Sequence, residues 1–361
     1  MHNDTQIIKY STYNKFTILP PLFHQIWVKV TGKTGFPLSE INSCKVLHSG
    51  MTTELIGDKM HNVHWQYKLW NNMDLEELFM FNSTGNKPII FSNSSDNNNS
   101  PAQYLKQFII KHLRTFHNAS EKDKNFYDTI SISEEQKYTK LANIMYKKFQ
   151  LKQSIQSLSS QNSINKRLLL MLTDLFRIFV LFIFGGIYAD ADTYCMKSFY
   201  PLLSIPPYLY VINKSTSINK IHDDVGEVFT NFAAYESENQ RGKLIGNSRL
   251  GSIPNSEILF RLVTEYLVTE PHYSEYKDTS VPSWISTGPK LITDYIDLLT
   301  MQKQYSFFRI YPSHLFYPVH YSDQQIINSF QRNKTILLNY IRTKHPHSFS
   351  IQLFGSTVQM V

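Results

Sequence analysis

The chain has 361 residues, 42% hydrophobic and 18% charged, with 13 glycines and 15 prolines. That apolar share excludes wholesale disorder, and the length allows a large buried core in one elaborate domain or two small ones. The formal net charge is +7, but the basic residues are spread without a run of five or six, so no nucleic-acid motif stands behind the charge.

Two cysteines, Cys44 and Cys195, are too few for a disulfide framework, and no dependence on an oxidising compartment is expected. Met1-His2-Asn3-Asp4-Thr5 lacks both the basic and the apolar region of a signal peptide. The most apolar stretch, from Leu168 to Ala189, is interrupted by Asp174 and Arg177 and by a glycine pair, which argues against a spanning helix. The expectation is a soluble, cytoplasmic chain with no transmembrane segment and no specific nucleic-acid partner.

In chain order, Pro20-Pro21 introduce an apolar, aromatic strand within 18–30. A helix and then a strand follow within 40–70, the strand ending near Tyr67-Lys68-Leu69-Trp70. Residues 92–100 are a low-complexity Asn/Ser loop, and 101–165 is polar and intermittently helical, with a soft segment from Ser154 to Asn165. Lys166 to Phe184 is the clearest helix, apolar nearly all round and therefore buried. Gly185-Gly186 should end it in a left-handed cap. Ile187 to Thr193 then alternates as a strand, with Tyr188, Asp190 and Asp192 on one face and Ile187, Ala189 and Ala191 on the other. Further helices are expected near 255–268 and 289–301, and strands near 229–235 and 305–311. The mixture indicates an α/β domain.

Asp190 and Asp192, two apart on one strand face, suit a hard divalent cation that keeps positions open for phosphate. A solvated acidic loop is the plain alternative. Asp174 and Arg177 are three apart on one helix face and interrupt an apolar helix, where an ionised group must be paired or used. A mutual salt bridge would explain both; so would an arginine for a diphosphate and a carboxylate for sugar hydroxyls. Trp27, closing the first strand, is either a core aromatic or a platform for a nucleobase.

Taken together, Thr173-Asp174-Leu175-Phe176-Arg177 and Gly185-Gly186-Ile187-Tyr188-Ala189-Asp190-Ala191-Asp192 resemble the sugar-binding Asp-x-Asp region of family 32 glycosyltransferases. Pro20-Pro21-Leu22-Phe23-His24-Gln25-Ile26-Trp27 is similar to the opening strand of that family, and Tyr67-Lys68-Leu69-Trp70 to its second-strand ending. Tyr235-Glu236, Asn247 with Pro254-Asn255, and Thr287-Gly288-Pro289 fall where the family has short motifs. The resemblance spans most of the chain, with 92–165 the least similar part, and the glucosyltransferase domains of large clostridial toxins share the core.

The resemblance implies a GT-A-type (Rossmann-like) α/β fold: a mixed sheet flanked by helices. It implies one catalytic domain over 1–361, with a helical, low-complexity elaboration at about 92–165. It also implies a retaining, metal-dependent hexosyltransferase, with a UDP- or GDP-sugar donor, Mn²⁺ or Mg²⁺, and a glycan, glycolipid or protein acceptor. Trp27 would stack on the base, Asp174 would hold sugar hydroxyls, and Arg177 would reach the sugar or diphosphate. Tyr188, Asn247 and Gly288 would line the donor site. Asp190 would touch ribose and sugar and reach the metal through water, while Asp192 would ligate it directly. At the C-terminal segment Gln352-Leu353-Phe354-Gly355-Ser356-Thr357, Gln352 stands for the usual His and Thr357 for the usual Trp. Gln352 could still offer a carbonyl oxygen to the cation. A catalytically silent carbohydrate- or protein-binding relative is the alternative.

Overall fold

The computed structural model describes residues 19–28, 37–56, 59–78, 101–117, 131–149, 163–203, 230–237, 243–269, 282–302, 308–320, 323, 326 and 333–352. The expected loop at 92–100 and the Gly355 to Thr357 segment lie outside them.

Strand β1 (Leu22–Ile26) is buried at every position, as its apolar run requires. After α1 (Leu38–Leu47) come β2 (Gly50–Ile56) and β3 (Lys59–Trp70), paired antiparallel. Strand β3 is the strand expected to end near Trp70, and β2 has no counterpart among the sequence expectations. Helix α2 (Asn72–Leu78) follows. Within the expected helical elaboration lie α3 (Pro101–His117) and α4 (Ile132–Phe149). Helix α5 (Ser163–Phe184) leads into β4 (Gly186–Ala189), and β5 (Thr193–Cys195) comes after a turn. Then follow β6 (Asn231–Tyr235), β7 (Ile245–Ser252), α6 (Glu257–Arg261), α7 (Pro289–Met301), β8 (Phe308–Tyr311), α8 (Lys334–Lys344) and β9 (Ser350–Gln352). Helix α6 continues through a π-helical turn, Leu262–Tyr266, to Thr269.

Seven strands form one mixed sheet in the order β2-β3-β1-β4-β7-β6-β8, and β5 pairs with β9 in a second, two-stranded sheet. Strands β3, β1 and β4 run parallel, β7 is antiparallel to both its neighbours, and β8 is parallel to β6. This is the expected α/β architecture of a mixed sheet flanked by helices. One face carries a core in which α5 meets side chains of α3, α4, α6 and α7, such as Phe108, Leu141, Ile258 and Leu291. The other face carries Phe23, Ile187, Phe199, Phe232, Phe316 and Tyr317. Leu175 to Phe182 of α5 are buried without interruption, which explains a helix apolar on every side. Among the described residues no helix is long and apolar enough to cross a membrane.

The glycine turn is as expected. Gly185 and Gly186 have φ of 68° and 91°, so both occupy conformations that L side chains rarely adopt. Space is as restrictive as conformation: a Cβ on Gly186 would lie 2.4 Å from the Leu22 carbonyl oxygen, and one on Gly185 2.6 Å from Pro254 Cδ.

Two expectations are corrected. The strand after the turn ends at Ala189, so Asp190 and Asp192 do not share a pleated face. Asp190 keeps one ladder contact, its N–H to the Ser248 carbonyl, and the Thr193 N–H then bonds the Asp190 carbonyl and closes a turn. The alternation of Ile187 to Thr193 is real in the sequence, but local turn hydrogen bonds end the ladder early. The second correction concerns the cysteines. Cys44 and Cys195 form a disulfide that ties α1 to β5 across 151 residues of chain. Two cysteines cannot make a framework, yet the fold brings this one pair to a Cα separation of 4.8 Å.

Candidate active site

The site forms where β4 ends beside β7, at the place in the sheet where parallel pairing gives way to antiparallel. Crevices at the carboxyl ends of such strands are the usual ligand positions of α/β sheets. Helix α5 brings Asp174 and Arg177 to this point, the glycine turn aims Tyr188 and Asp190, and β7 supplies Asn247.

These side chains form a closed circuit. Arg177 Nη2 lies 2.8 Å from Asp174 Oδ1, and Arg177 Nη1 lies 3.1 Å from Asp190 Oδ1. Nη1 also donates to the Asn247 carbonyl at 2.8 Å. The Asn247 amide donates to Asp174 Oδ1 at 2.9 Å, and the Thr287 hydroxyl to Asp174 Oδ2 at 3.0 Å. The Tyr188 hydroxyl donates to Asp190 Oδ1 at 2.6 Å, while the Arg177 guanidinium stacks 4.9 Å from the Tyr188 ring centre. Of the two sequence readings of Asp174 and Arg177, the mutual salt bridge is present, and it extends to Asp190.

Exposure separates the members. The side chain of Asp190 is 26% exposed, against 11% for Asp174 and 7% for Arg177. Asp190 is therefore the part of the circuit most open to a ligand, and Asp174 and Arg177 are its support. Burial pushes the Asp174 carboxyl up to about 6; Arg177 pulls it back and Asp190 adds to the rise. Burial works against the charge of Arg177, but Asp190, Tyr188 and Asp174 more than reverse this, so the guanidinium stays protonated.

Asp192 lies past the turn, where the two-stranded sheet begins. The Gln352 amide nitrogen donates to Asp192 Oδ1, and the Gln352 carbonyl oxygen accepts from Arg249 Nη1 and, at 3.3 Å, from the Thr193 hydroxyl. Burial pushes the Asp192 carboxyl up to about 6, with Asp190 adding and Arg249 pulling back. The Gln352 carbonyl oxygen, named from the sequence as a possible cation donor, thus faces Arg249 and Thr193, and it is the amide nitrogen that meets Asp192.

Trp27 is half-buried at the carboxyl end of β1, and its backbone N–H donates to the Trp70 carbonyl. Gly288 caps α7, and a Cβ there would come 2.7 Å from Trp284 Cα. It follows Thr287, which bonds Asp174. Asn255, part of a quoted motif, has a structural task at φ 59°: it accepts from the Tyr138 hydroxyl and donates to Glu134, fastening α4.

Sequence reasoning left three contributors unassigned. Gln25 donates to the Asp190 carbonyl at 3.0 Å and accepts from the Tyr67 hydroxyl at 2.7 Å. Thr287 stood in a quoted motif without a role. Arg249 is fully buried on β7, opposite Ala189. A polar residue inside an apolar strand was the available signal for Gln25; nothing local marks Arg249.

The donor set suits a hard cation. Asp190 and Asp192 each retain a carboxylate oxygen without a side-chain partner among the described residues. Those residues hold no group of three or more His, Cys, Asp and Glu arranged around a metal position. Mg²⁺ and Mn²⁺ are commonly held this way, through one or two carboxylates with water and ligand phosphates completing the shell.

The family model described as "Glycosyltransferase sugar-binding region containing DXD motif" matches residues 59–212. That stretch contains Asp174, Arg177, Tyr188, Asp190 and Asp192, and it assigns this region of the chain to the glycosyltransferase class. A search of curated proteins gives no match. Among solved structures the chain is similar to the PaToxG glycosyltransferase (12% identity, 79% of this chain and 74% of that one, TM-score 0.35). It is also similar to the catalytic domain of alpha-toxin from Clostridium novyi (14%, 82% and 74%, TM-score 0.35). A third is the UDP-bound glycosyltransferase domain of the YGT toxin (12%, 82% and 80%, TM-score 0.38).

Proposed function

We propose that this chain is a metal-dependent, retaining glycosyltransferase that moves a hexose from a UDP- or GDP-sugar to a glycan, lipid or protein acceptor, and that 1–361 acts as one catalytic domain. The observation that carries the reading is the Asp174–Arg177–Asp190 circuit at the end of β4, inside the matched sugar-binding region. Arg177 is locked by two carboxylates and a backbone carbonyl, so it fixes Asp190 in one orientation without reorganisation when a donor arrives. Asp190 offers its exposed oxygen to donor hydroxyls, and Trp27, half-buried at the end of β1, is the aromatic on which the base would stack. Asp174 has protein partners on both oxygens, so it serves chiefly to hold Arg177 and Asn247, with remaining lone pairs for a sugar hydroxyl. Asp190 and Asp192 would hold Mn²⁺ or Mg²⁺. The cation would neutralise the charge that develops on the departing nucleoside diphosphate.

A thermal-shift screen of UDP- and GDP-sugars, with and without Mn²⁺, tests this. A donor that binds only the folded chain raises the melting temperature, and the account expects a rise that needs Mn²⁺. Absence of any shift across both nucleotide series, with intact protein, contradicts it. A catalytically silent relative would show a shift without releasing nucleoside diphosphate.

A further inference from the structure

Arg249 is fully buried, and among the described residues no carboxylate pairs with it directly. Its Nη1 donates to the Ser248 hydroxyl at 2.6 Å and to the Gln352 carbonyl oxygen, its Nε to the Ser350 hydroxyl at 3.3 Å, and its guanidinium lies 4.6 Å from the Tyr317 ring centre. Its Nη2 has no hydrogen-bond partner among the described residues. A guanidinium held in such a place needs a compensating negative charge nearby. The acid that feels its charge is Asp192, and one side chain stands between them.

That side chain is Gln352, and its orientation is fixed by chemistry. Arginine has no acceptor, so the Gln352 carbonyl oxygen must face Arg249. The amide nitrogen then faces Asp192 and donates to Oδ1. The amide dipole runs from a cation at one end to a carboxylate at the other, so both hydrogen bonds are charge-assisted. Each acid of the Asp-x-Asp pair thus has its own arginine. Asp190 meets Arg177 directly on one face of the sheet, and Asp192 meets Arg249 through an amide on the other.

We propose that Arg249 is a positioning residue for Asp192, acting through the Gln352 amide, and that Gln352 clamps this carboxylate instead of ligating the cation. One Asp192 oxygen is covered by the clamp, and the other is presented in a fixed direction. The inference rests on the reading of Asp192 as a cation ligand.

The test is Mn²⁺ affinity, read from the electron paramagnetic resonance signal of the free ion, with Mn²⁺ as the only added ligand. R249K keeps the charge and loses the planar fork; Q352M keeps the length and loses both hydrogen bonds. The relay predicts that each weakens Mn²⁺ binding by about ten- to a hundredfold, as orienting partners of metal ligands do. It also predicts that the double variant is no weaker than the weaker single one, because both cut the same relay. If Gln352 were a cation ligand, R249K would free its carbonyl, and binding would hold or tighten; that result, or multiplicative losses, overturns the proposal.

A second measurement covers variants that fail to fold. In the wild-type ¹H–¹⁵N spectrum the Gln352 side-chain amide should move on D192N, and an unmoved signal overturns the relay. Wild-type protein that binds no Mn²⁺ would remove the metal-dependent reading and this inference together. Wild-type binding with indifferent R249K and Q352M removes the inference alone.

Discussion

Thr287 shows how much one hydroxyl decides in this site. It is buried and donates to Asp174 Oδ2, the oxygen that Asn247 and Arg177 do not reach. T287V keeps the shape and leaves that oxygen unbonded, which should cost about 1–3 kcal/mol of stability in urea unfolding. An unchanged midpoint would mean that the circuit closes without it. Two histidines are as constrained. His24 accepts from the Trp70 indole N–H at Nδ1 and donates from Nε2 to the Gly185 carbonyl, and His48 donates from Nδ1 to the Cys44 carbonyl and accepts the Phe199 N–H at Nε2. Each is satisfied only when neutral, and burial holds each down to about 3.

Protonation of these groups sets the acid sensitivity. Between the unfolded value of 6.5 and the folded value of about 3, the unfolded chain binds a proton that the folded chain refuses, so stability falls as pH falls. His112, held at about 4 by burial, acts the same way. Asp174 and Asp192 oppose this, because the folded state protonates them near 6 and the unfolded state only near 3.8. From pH 7 to pH 5 the three histidines lose stability and the two acids return part of it, so the net direction is a loss on the order of a few kcal/mol. Urea midpoints at the two pH values check this. A midpoint that rises on acidification contradicts the assignment of neutral histidines.

At the scale of elements, the helix–glycine turn–strand unit carries the site. Gly186 sits at φ 91° with the Leu22 carbonyl against it, so G186V forces both a strained backbone and a clash with β1. It should lower the melting temperature by many degrees and abolish Mn²⁺-dependent donor binding. A folded G186V with intact donor binding would reduce the turn to punctuation. This unit was legible because an apolar helix, a glycine pair and an alternating strand each leave a strong local pattern. Strand β7 was not. Its sequence Ile245-Gly246-Asn247-Ser248-Arg249-Leu250-Gly251-Ser252 looks like a polar loop, yet every residue is buried. Gly246 and Gly251 are there because the Tyr317 and Phe232 rings fill the space of a Cβ, and Asn247, Ser248 and Arg249 are paid for by partners distant in sequence. Tertiary contacts of this kind leave no periodicity. The end of β4 was misplaced for a related reason, since turn hydrogen bonds at Asp190 override the alternation.

At the scale of the molecule, the Cys44–Cys195 bridge joins α1 to the strand that follows Asp192 and closes a loop of 151 residues. In the chain-entropy model a loop of that size stabilises the folded state by about 5 kcal/mol. C44S/C195S protein should therefore unfold at clearly lower urea than the oxidised wild type, and the wild type under a dithiol reductant should approach it. Equal midpoints, or two alkylatable thiols in native wild-type protein, contradict the bridge. The same strand pairs with β9, which carries Gln352, so loosening the bridge should also weaken Mn²⁺ binding.

The circuit at the end of β4 is proposed to serve a metal-dependent sugar transfer. Release of nucleoside diphosphate from a UDP- or GDP-hexose by purified protein tests it most directly. Release is expected with Mn²⁺, and its loss both with EDTA and in a D192N variant whose melting temperature is unchanged. Release that persists undiminished in EDTA, or in folded D192N, would contradict it.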